Sequence, residues 1–395
     1  MKIDGFSFSA VDAGIRYADR LDLALIHADS PCVTAGVFTS SQVKAAPVLI
    51  DIERLQKDRL SQTILINSGN ANACTGENGI TTALATSDIV AKQLGISPEK
   101  VLLASTGVIG EQLNITAFEK GIPDLIAQLS RDGFADVSRA IMTTDTTPKV
   151  AKRKAVVDTT PITLVGMAKG SGMIMPNMAT MLAFILTDAA ITPASLQQAL
   201  KKGVDQTFNR ITVDGDTSTN DMALAMASAA AGNKEIATVA DGDGRCFAET
   251  LKDLLVELAV KIVADGEGAT KTVTVRVEQA SSSSEAELLA RTVANSPLVK
   301  TAFFGEDANW GRIFMALGRA GVEFDPARVD LFFDDVQLVA GGTGLGREAE
   351  ERATTVLKKK DFTLTVKMGQ GRESAEIYTC DFSIDYIRIN ADYRS

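Results

Sequence analysis

The chain has 395 residues, 45% of them hydrophobic, and a formal net charge of −10 with a pI near 4.9. That length exceeds what a single core normally serves, so two lobes are expected, and the apolar content excludes bulk disorder. The acidic balance excludes a basic phosphate-binding face, so no nucleic-acid partner is expected. Residues 1–6 carry no charged stretch followed by an apolar one, and the longest apolar run, 178–186, is too short to span a bilayer. A cytoplasmic protein without membrane partners is the expectation. Cys32, Cys74, Cys246 and Cys380 lie far apart without CxxC spacing, which suits reduced thiols and no bound metal.

Runs 21–28, 33–39, 46–51 and 63–67 read as strands separated by turn signals. The single histidine, His27, lies in the first of them and reads as a packed or surface side chain. A site with two histidines is thereby excluded, and a Ser-His-Asp hydrolase would have to rest on that one position. Residues 67–76 are rich in Asn, Ser and Gly and form a tight loop, which either lines a site or only turns the chain. Helical patterns follow at 79–94 and 112–130, with a strand at 101–104 between them.

A further strand is expected at 181–186. Phe247, Leu251, Leu254, Leu255, Leu258 and Ile262 make one apolar stripe on a helix that ends at Asp265-Gly266. Val273, Val275 and Val277 alternate as a strand, and Ser281 to Ser284 can cap a helix over 285–295. Strands recur at 329–338, 362–368 and 376–389. Runs of strands mixed with long helices indicate an α+β fold, two-lobed, with mixed sheets covered by helices and no regular βαβ repeat.

Two familiar motifs fail. Asp214-Gly215-Asp216-Thr217-Ser218 opens like a calcium loop, but Thr219 replaces the glycine and Ala225 the bidentate glutamate. The glycines of Gly341-Gly342-Thr343-Gly344-Leu345-Gly346 do not fit a dinucleotide fingerprint and read as a turn. More distinctive is Lys169-Gly170-Ser171-Gly172-Met173-Ile174-Met175-Pro176-Asn177-Met178-Ala179-Thr180-Met181-Leu182. It is either a Gly-rich loop entering a buried strand, or a strained junction that presses a hydroxyl against the preceding carbonyl.

That segment closely resembles the self-processing signature of the ornithine acetyltransferase family, the glutamate N-acetyltransferases. Gly36-Val37-Phe38-Thr39, Val43-Lys44-Ala45-Ala46-Pro47-Val48, Ser105-Thr106-Gly107-Val108-Ile109-Gly110 and Met142-Thr143-Thr144-Asp145-Thr146 resemble further family blocks. So do Val213 through Asp221, Asp265-Gly266-Glu267-Gly268-Ala269-Thr270-Lys271, Asn309-Trp310-Gly311-Arg312-Ile313 and the ending Ile389 through Ser395. The likeness covers essentially the whole chain, in order.

The resemblance implies an aminopeptidase-like sandwich that cuts itself between Ala179 and Thr180. Residues 1–179 would form an α chain and N-terminal lobe, and residues 180–395 a β chain and C-terminal lobe, assembled as an α2β2 heterotetramer. Thr180 would then carry acetyl from N-acetylornithine to glutamate by ping-pong transfer in arginine biosynthesis, its own freed amine serving as base. Thr106 and the Gly107 N–H would form the oxyanion hole. Thr146, Lys169, Thr180, Glu267, Asn390 and Ser395 would bind substrate, Lys169 on the α-carboxylate and Glu267 on the substrate cation. No metal or cofactor is implied, and acetyl-CoA as a second acetyl donor stays open. The alternative is a self-cleaving amidohydrolase or aminopeptidase with the same nucleophile, in which water accepts the acyl group.

Overall fold

The structure, a computed structural model, describes residues 1–175 and 181–391. It contains two compact units, Met1–Asn209 with Asp216–Ile262 and Arg210–Gly215 with Val263–Ser395.

The first unit contains β1 (Phe6–Val11), β2 (Leu23–Phe38), α1 (Ala46–Lys57), β3 (Leu60–Asn67), α2 (Gly76–Leu94), β4 (Val101–Ser105), α3 (Ile115–Ala127) and α4 (Phe134–Ala140). It continues with β5 (Lys149–Val157), β6 (Thr160–Lys169), β7 (Leu182–Thr187) and α5 (Pro193–Gln206). The chain then gives β8 (Ile211–Thr212) to the second unit and returns for β9 (Met222–Ala227) and α6 (Gly242–Ala264). Its sheet runs β4-β3-β2-β9-β7-β6-β5, with β1 added on β2. The β3–β4 and β7–β9 pairs are parallel, the others antiparallel.

All positions of β7 and β9 are buried, because these central strands are covered on both faces. That is why the sequence after residue 180 reads as an unbroken apolar run. In β3 the residues alternate: Ile64 and Ile66 join a core with Phe8 and Phe134, whereas Leu65 packs with Val90 of α2 and Phe118 of α3. The runs 21–28 and 33–39 belong to one strand, β2, whose pairing with β3 is irregular between His27 and Cys32.

Residues 46–51, expected as a strand, form the start of α1. Pro47 suits a first helical turn, and Arg54 and Lys57 sit favourably in the last. A six-residue apolar run is too short for its period to tell the two apart.

In the second unit β8 is followed by β10 (Thr272–Ala280), α7 (Ser283–Ala294), α8 (Pro297–Phe304), α9 (Trp310–Gly318), β11 (Asp330–Phe333), β12 (Val336–Ala340) and β13 (Thr343–Gly344). Then come α10 (Arg347–Leu357), β14 (Asp361–Lys367), β15 (Glu373–Cys380) and α11 (Ile384–Ala391). The sheet order is β13-β12-β11-β14-β10-β15-β8. Val273, Val275 and Val277 of β10 meet Leu289 and Val293 of α7 in its core. Ser282 caps α7, its side chain accepting from the Glu285 N–H as the serine run suggested.

Run 329–338 is in fact the β11–β12 hairpin, and run 376–389 is a strand only to Cys380. There the Asp381 carboxylate accepts the N–H groups of Thr270 and Lys271 at 2.8 and 2.9 Å, and the Ser383 hydroxyl donates to Gly268 O at 2.6 Å. These bonds end the strand and turn the chain into α11.

The fold is α+β, with two mixed sheets covered by helices, as the sequence indicates. Lobes divided at 179/180 do not match the compact units: β6 and β7, on either side of that bond, are paired neighbours in one sheet. Among the described residues no helix is long and apolar enough to cross a membrane.

Candidate active site

Thr106 and Gly107 follow β4, where the chain passes against the Asn-rich loop after β3. The Thr106 N–H donates to Asn67 O at 3.0 Å and the Val108 N–H to Gly69 O at 3.3 Å. Between them, the Gly107 N–H donates to no acceptor among the described residues. Gly107 has φ +135°, and a Cβ there would lie 2.2 Å from the Gly69 carbonyl carbon. Only glycine fits, on conformational and steric grounds alike. Gly107→Ala is expected to lower stability by at least about 2 kcal/mol, read as a depressed thermal midpoint. The loop over 67–76 therefore does more than turn the chain, since it holds this peptide in place.

Lys169 ends β6 almost fully buried. Its Nζ donates to Thr106 Oγ1 at 3.2 Å and Thr143 Oγ1 at 2.8 Å, and lies 3.8 Å from Asp145 Oδ2. An ammonium has donors only, so the Thr106 oxygen must accept, which leaves its own hydrogen free to donate elsewhere. Asp145 is the hub of this cluster. Its Oδ1 takes Lys149 Nζ at 2.5 Å and the Gly170 N–H at 2.7 Å, and its Oδ2 takes the Thr143 N–H at 3.1 Å. Burial alone would raise the Asp145 pKa. The charges of Lys169 and Lys149, with bonds from Lys149 and the Gly170 N–H, overcome that and hold it at about 2.

The family resemblance implies Thr146 from this block. The structure places Thr146 exposed and its neighbour Asp145 at the centre. The Asp-to-Lys spacing of four residues was the available signal for the 145–149 pair.

In the second unit Glu267 and Asn390, distant in sequence, meet directly. Glu267 is buried and its Oε2 accepts from Asn390 Nδ2 at 2.8 Å. Its Oε1 has no hydrogen-bond partner among the described residues, and so remains available for a cation. Gly268, at φ +68°, lets the Glu267 loop lie against α11, where a Cβ would sit 2.4 Å from Tyr386 N. Asn390 rides on α11 and not, as expected, at the end of a strand. Ala179, Thr180 and Ser395 lie outside the described residues.

His27 belongs elsewhere in chemistry. Its Nδ1 shares a 2.8 Å hydrogen bond with Thr63 Oγ1 within the β2–β3 pair, and burial lowers its pKa.

A family model described as the ArgJ family matches residues 7–395. The arginine biosynthesis bifunctional protein ArgJ of Desulfotalea psychrophila is 59% identical over 397 residues, covering 100% of both chains. That of Geobacter sulfurreducens is 51% identical over 395 residues, again covering 100% of both. A crystal structure of the arginine biosynthesis bifunctional protein ArgJ from Bacillus halodurans is similar at 41% identity and TM-score 0.51, covering 53% of this chain and 97% of that one. The chain belongs to the ArgJ family, the acetyltransferases of arginine biosynthesis.

Proposed function

We propose that this enzyme carries acetyl from N-acetylornithine to glutamate on the hydroxyl of Thr180, which self-cleavage between Ala179 and Thr180 first turns into a chain terminus. Thr180 Oγ adds to the Ala179 carbonyl carbon, the C–N bond to Thr180 breaks, and a hydrogen passes from oxygen to nitrogen. Water hydrolyses the ester, leaving the Ala179 carboxylate and a free Thr180 amine. Such an amine titrates near about 7.7–8.0, so much of it is neutral and basic at neutral pH. It takes the hydroxyl proton as Oγ attacks the acetyl carbonyl and passes that proton to the departing ornithine nitrogen. Glutamate's amine then removes acetyl from the threonyl ester by the same steps in reverse. No cofactor is needed for either half.

The observation that carries this reading is the Lys169–Thr106–Gly107 arrangement. A hydroxyl polarised by a buried ammonium stands next to a backbone N–H that has no acceptor among the described residues, as stabilising a developing acetyl oxyanion requires. Lys169 already serves Thr106 and Thr143, so its part is to polarise the hole as well as to draw the substrate carboxylate. Thr146, Glu267, Asn390 and Ser395 complete the substrate set. Glu267→Gln is expected to raise the KM for N-acetylornithine about 10–100-fold with a smaller change in kcat, measured by steady-state kinetics.

The Bacillus halodurans chain supports the cut, because it matches over almost its whole length yet covers just over half of this one, as a fragment beginning at residue 180 would. Relatives named bifunctional support acetyl-CoA as a second donor to Thr180. The assembly proposed is α2β2.

A denaturing gel with end-sequencing tests the cut, and labelled N-acetylornithine tests the transfer. Two fragments, the second starting at Thr180, and label in N-acetylglutamate are expected. A single band sinks the proposal, and label released only as acetate would make the enzyme an amidohydrolase.

A further inference from the structure

The loop before β9 holds the chain on both sides of the cleavage segment. Asp216 O accepts the Met175 N–H at 2.8 Å, and the Thr217 hydroxyl donates to Met175 O at 3.2 Å. At the far side Asp221 Oδ1 accepts the Met181 N–H at 2.6 Å. That nitrogen is bonded to the carbonyl carbon of residue 180, so Asp221 grips the chain one peptide unit beyond Thr180.

The Asp221 side chain is wholly buried, and its other oxygen, Oδ2, has no hydrogen-bond partner among the described residues. Asn220 Nδ2 donates to Ala71 O and Ser105 O at 2.6 and 2.8 Å, and the Thr219 hydroxyl donates to Asn220 Oδ1 at 2.6 Å. Asp221 O accepts the Thr39 N–H from beyond β2 at 3.0 Å, and Met181 O accepts the Met222 N–H at 3.1 Å, so the backbone is fixed as well.

A buried polar atom left unpaired in so complete a network needs a reason. Burial pushes the carboxyl well above its usual range, against the opposing pull of the Met181 N–H and the charge of Lys169 on β6. Lys169 is the charged group among the described residues whose field reaches it, and that ammonium is itself shared with Asp145. Burial therefore favours the protonated form of the Asp221 carboxyl, one oxygen of which holds the Met181 N–H.

We propose that Asp221 is the proton-transfer residue of self-cleavage, a step that rests on the Thr180 reading above. As Thr180 Oγ bonds to the Ala179 carbonyl carbon and the C–N bond breaks, Asp221 gives its hydrogen to the departing Thr180 nitrogen. The carboxylate so formed takes the hydroxyl's hydrogen, and the carboxyl ends as it began.

Asp221→Asn tests this, since it keeps the size and an oxygen for the Met181 N–H but has no acid hydrogen. Self-cleavage of the variant, followed by gel beside the wild type, is expected to slow at least about 100-fold, with a thermal midpoint close to that of an uncut Thr180→Ala chain. Wild-type chain made by cell-free translation and chased at several pH values gives a reading that needs no variant. Cleavage should slow as pH rises through the raised pKa of the carboxyl, and that limb should be missing from the Asn variant. Cleavage of Asp221→Asn at the wild-type rate, or a wild-type rate that is flat or rising with pH, overturns the role of Asp221 and leaves the Thr180 reading standing. A wild type that never cuts is a different failure, which removes the Thr180 reading and this one with it.

Discussion

A Thr180→Ala chain is expected to run as one band of full length and to transfer no measurable acetyl, a loss of at least about 10⁴-fold. Two reactions should fail together, because in the proposed mechanism they use the same oxygen. On the proposed mechanism nothing would add to the Ala179 carbonyl without the hydroxyl, and without the cut no amine would be released to act as base. The rest of the chain offers no substitute histidine. His27 is the only one, and it is bonded to Thr63 with a pKa lowered by burial. Thr180→Ser, which retains the oxygen, should still cut and transfer. The uncut alanine chain should keep its fold, since β6 and β7 pair through residues 164–169 and 182–187.

Asp145→Asn is the substitution with the largest expected effect on stability. It leaves two almost fully buried ammonium groups, Lys149 and Lys169, facing a neutral amide. Breaking a buried ion pair from one side typically costs about 3–5 kcal/mol, and urea denaturation measures it. Activity should fall as well, because Lys169 loses the carboxylate that fixes it against Thr106. The same contact predicts a pH dependence. The folded pKa of about 2 lies below the ordinary 3.8, so the carboxylate stabilises the fold above the ordinary value. That stabilisation, about 2–3 kcal/mol, is lost as pH falls from about 4 through about 2. The Asn variant should lack that part of the acid transition.

Sequence patterning carried the regular elements whose period is long or unambiguous. The stripe of α6, the alternation of β10 and the serine cap of α7 all appear where expected. Short runs misled: 46–51 became a helix, and 376–389 was cut at Cys380 by the side chains of Asp381 and Ser383, which no local pattern shows. The β5–β6 hairpin went unread. Its turn is made by Asp158 and Thr159, both at positive φ, without the glycine that usually marks such a turn.

The candidate site was named mainly through the family resemblance, which proposed Thr106, Gly107, Thr146, Lys169, Thr180, Glu267, Asn390 and Ser395. What it did not supply was the difference between exposed Thr146 and buried Asp145, or the unpaired oxygen of Asp221. Both depend on which way the backbone turns a side chain, and that is a tertiary property.

The most direct test of the account is the mass of the denatured protein after incubation with N-acetylornithine and no glutamate. The account predicts two chains, with one acetyl group added to the chain that begins at Thr180 and removed again when glutamate is supplied. Fully active protein whose mass is that of the uncut chain, or an acetyl group found on any other residue, would contradict it.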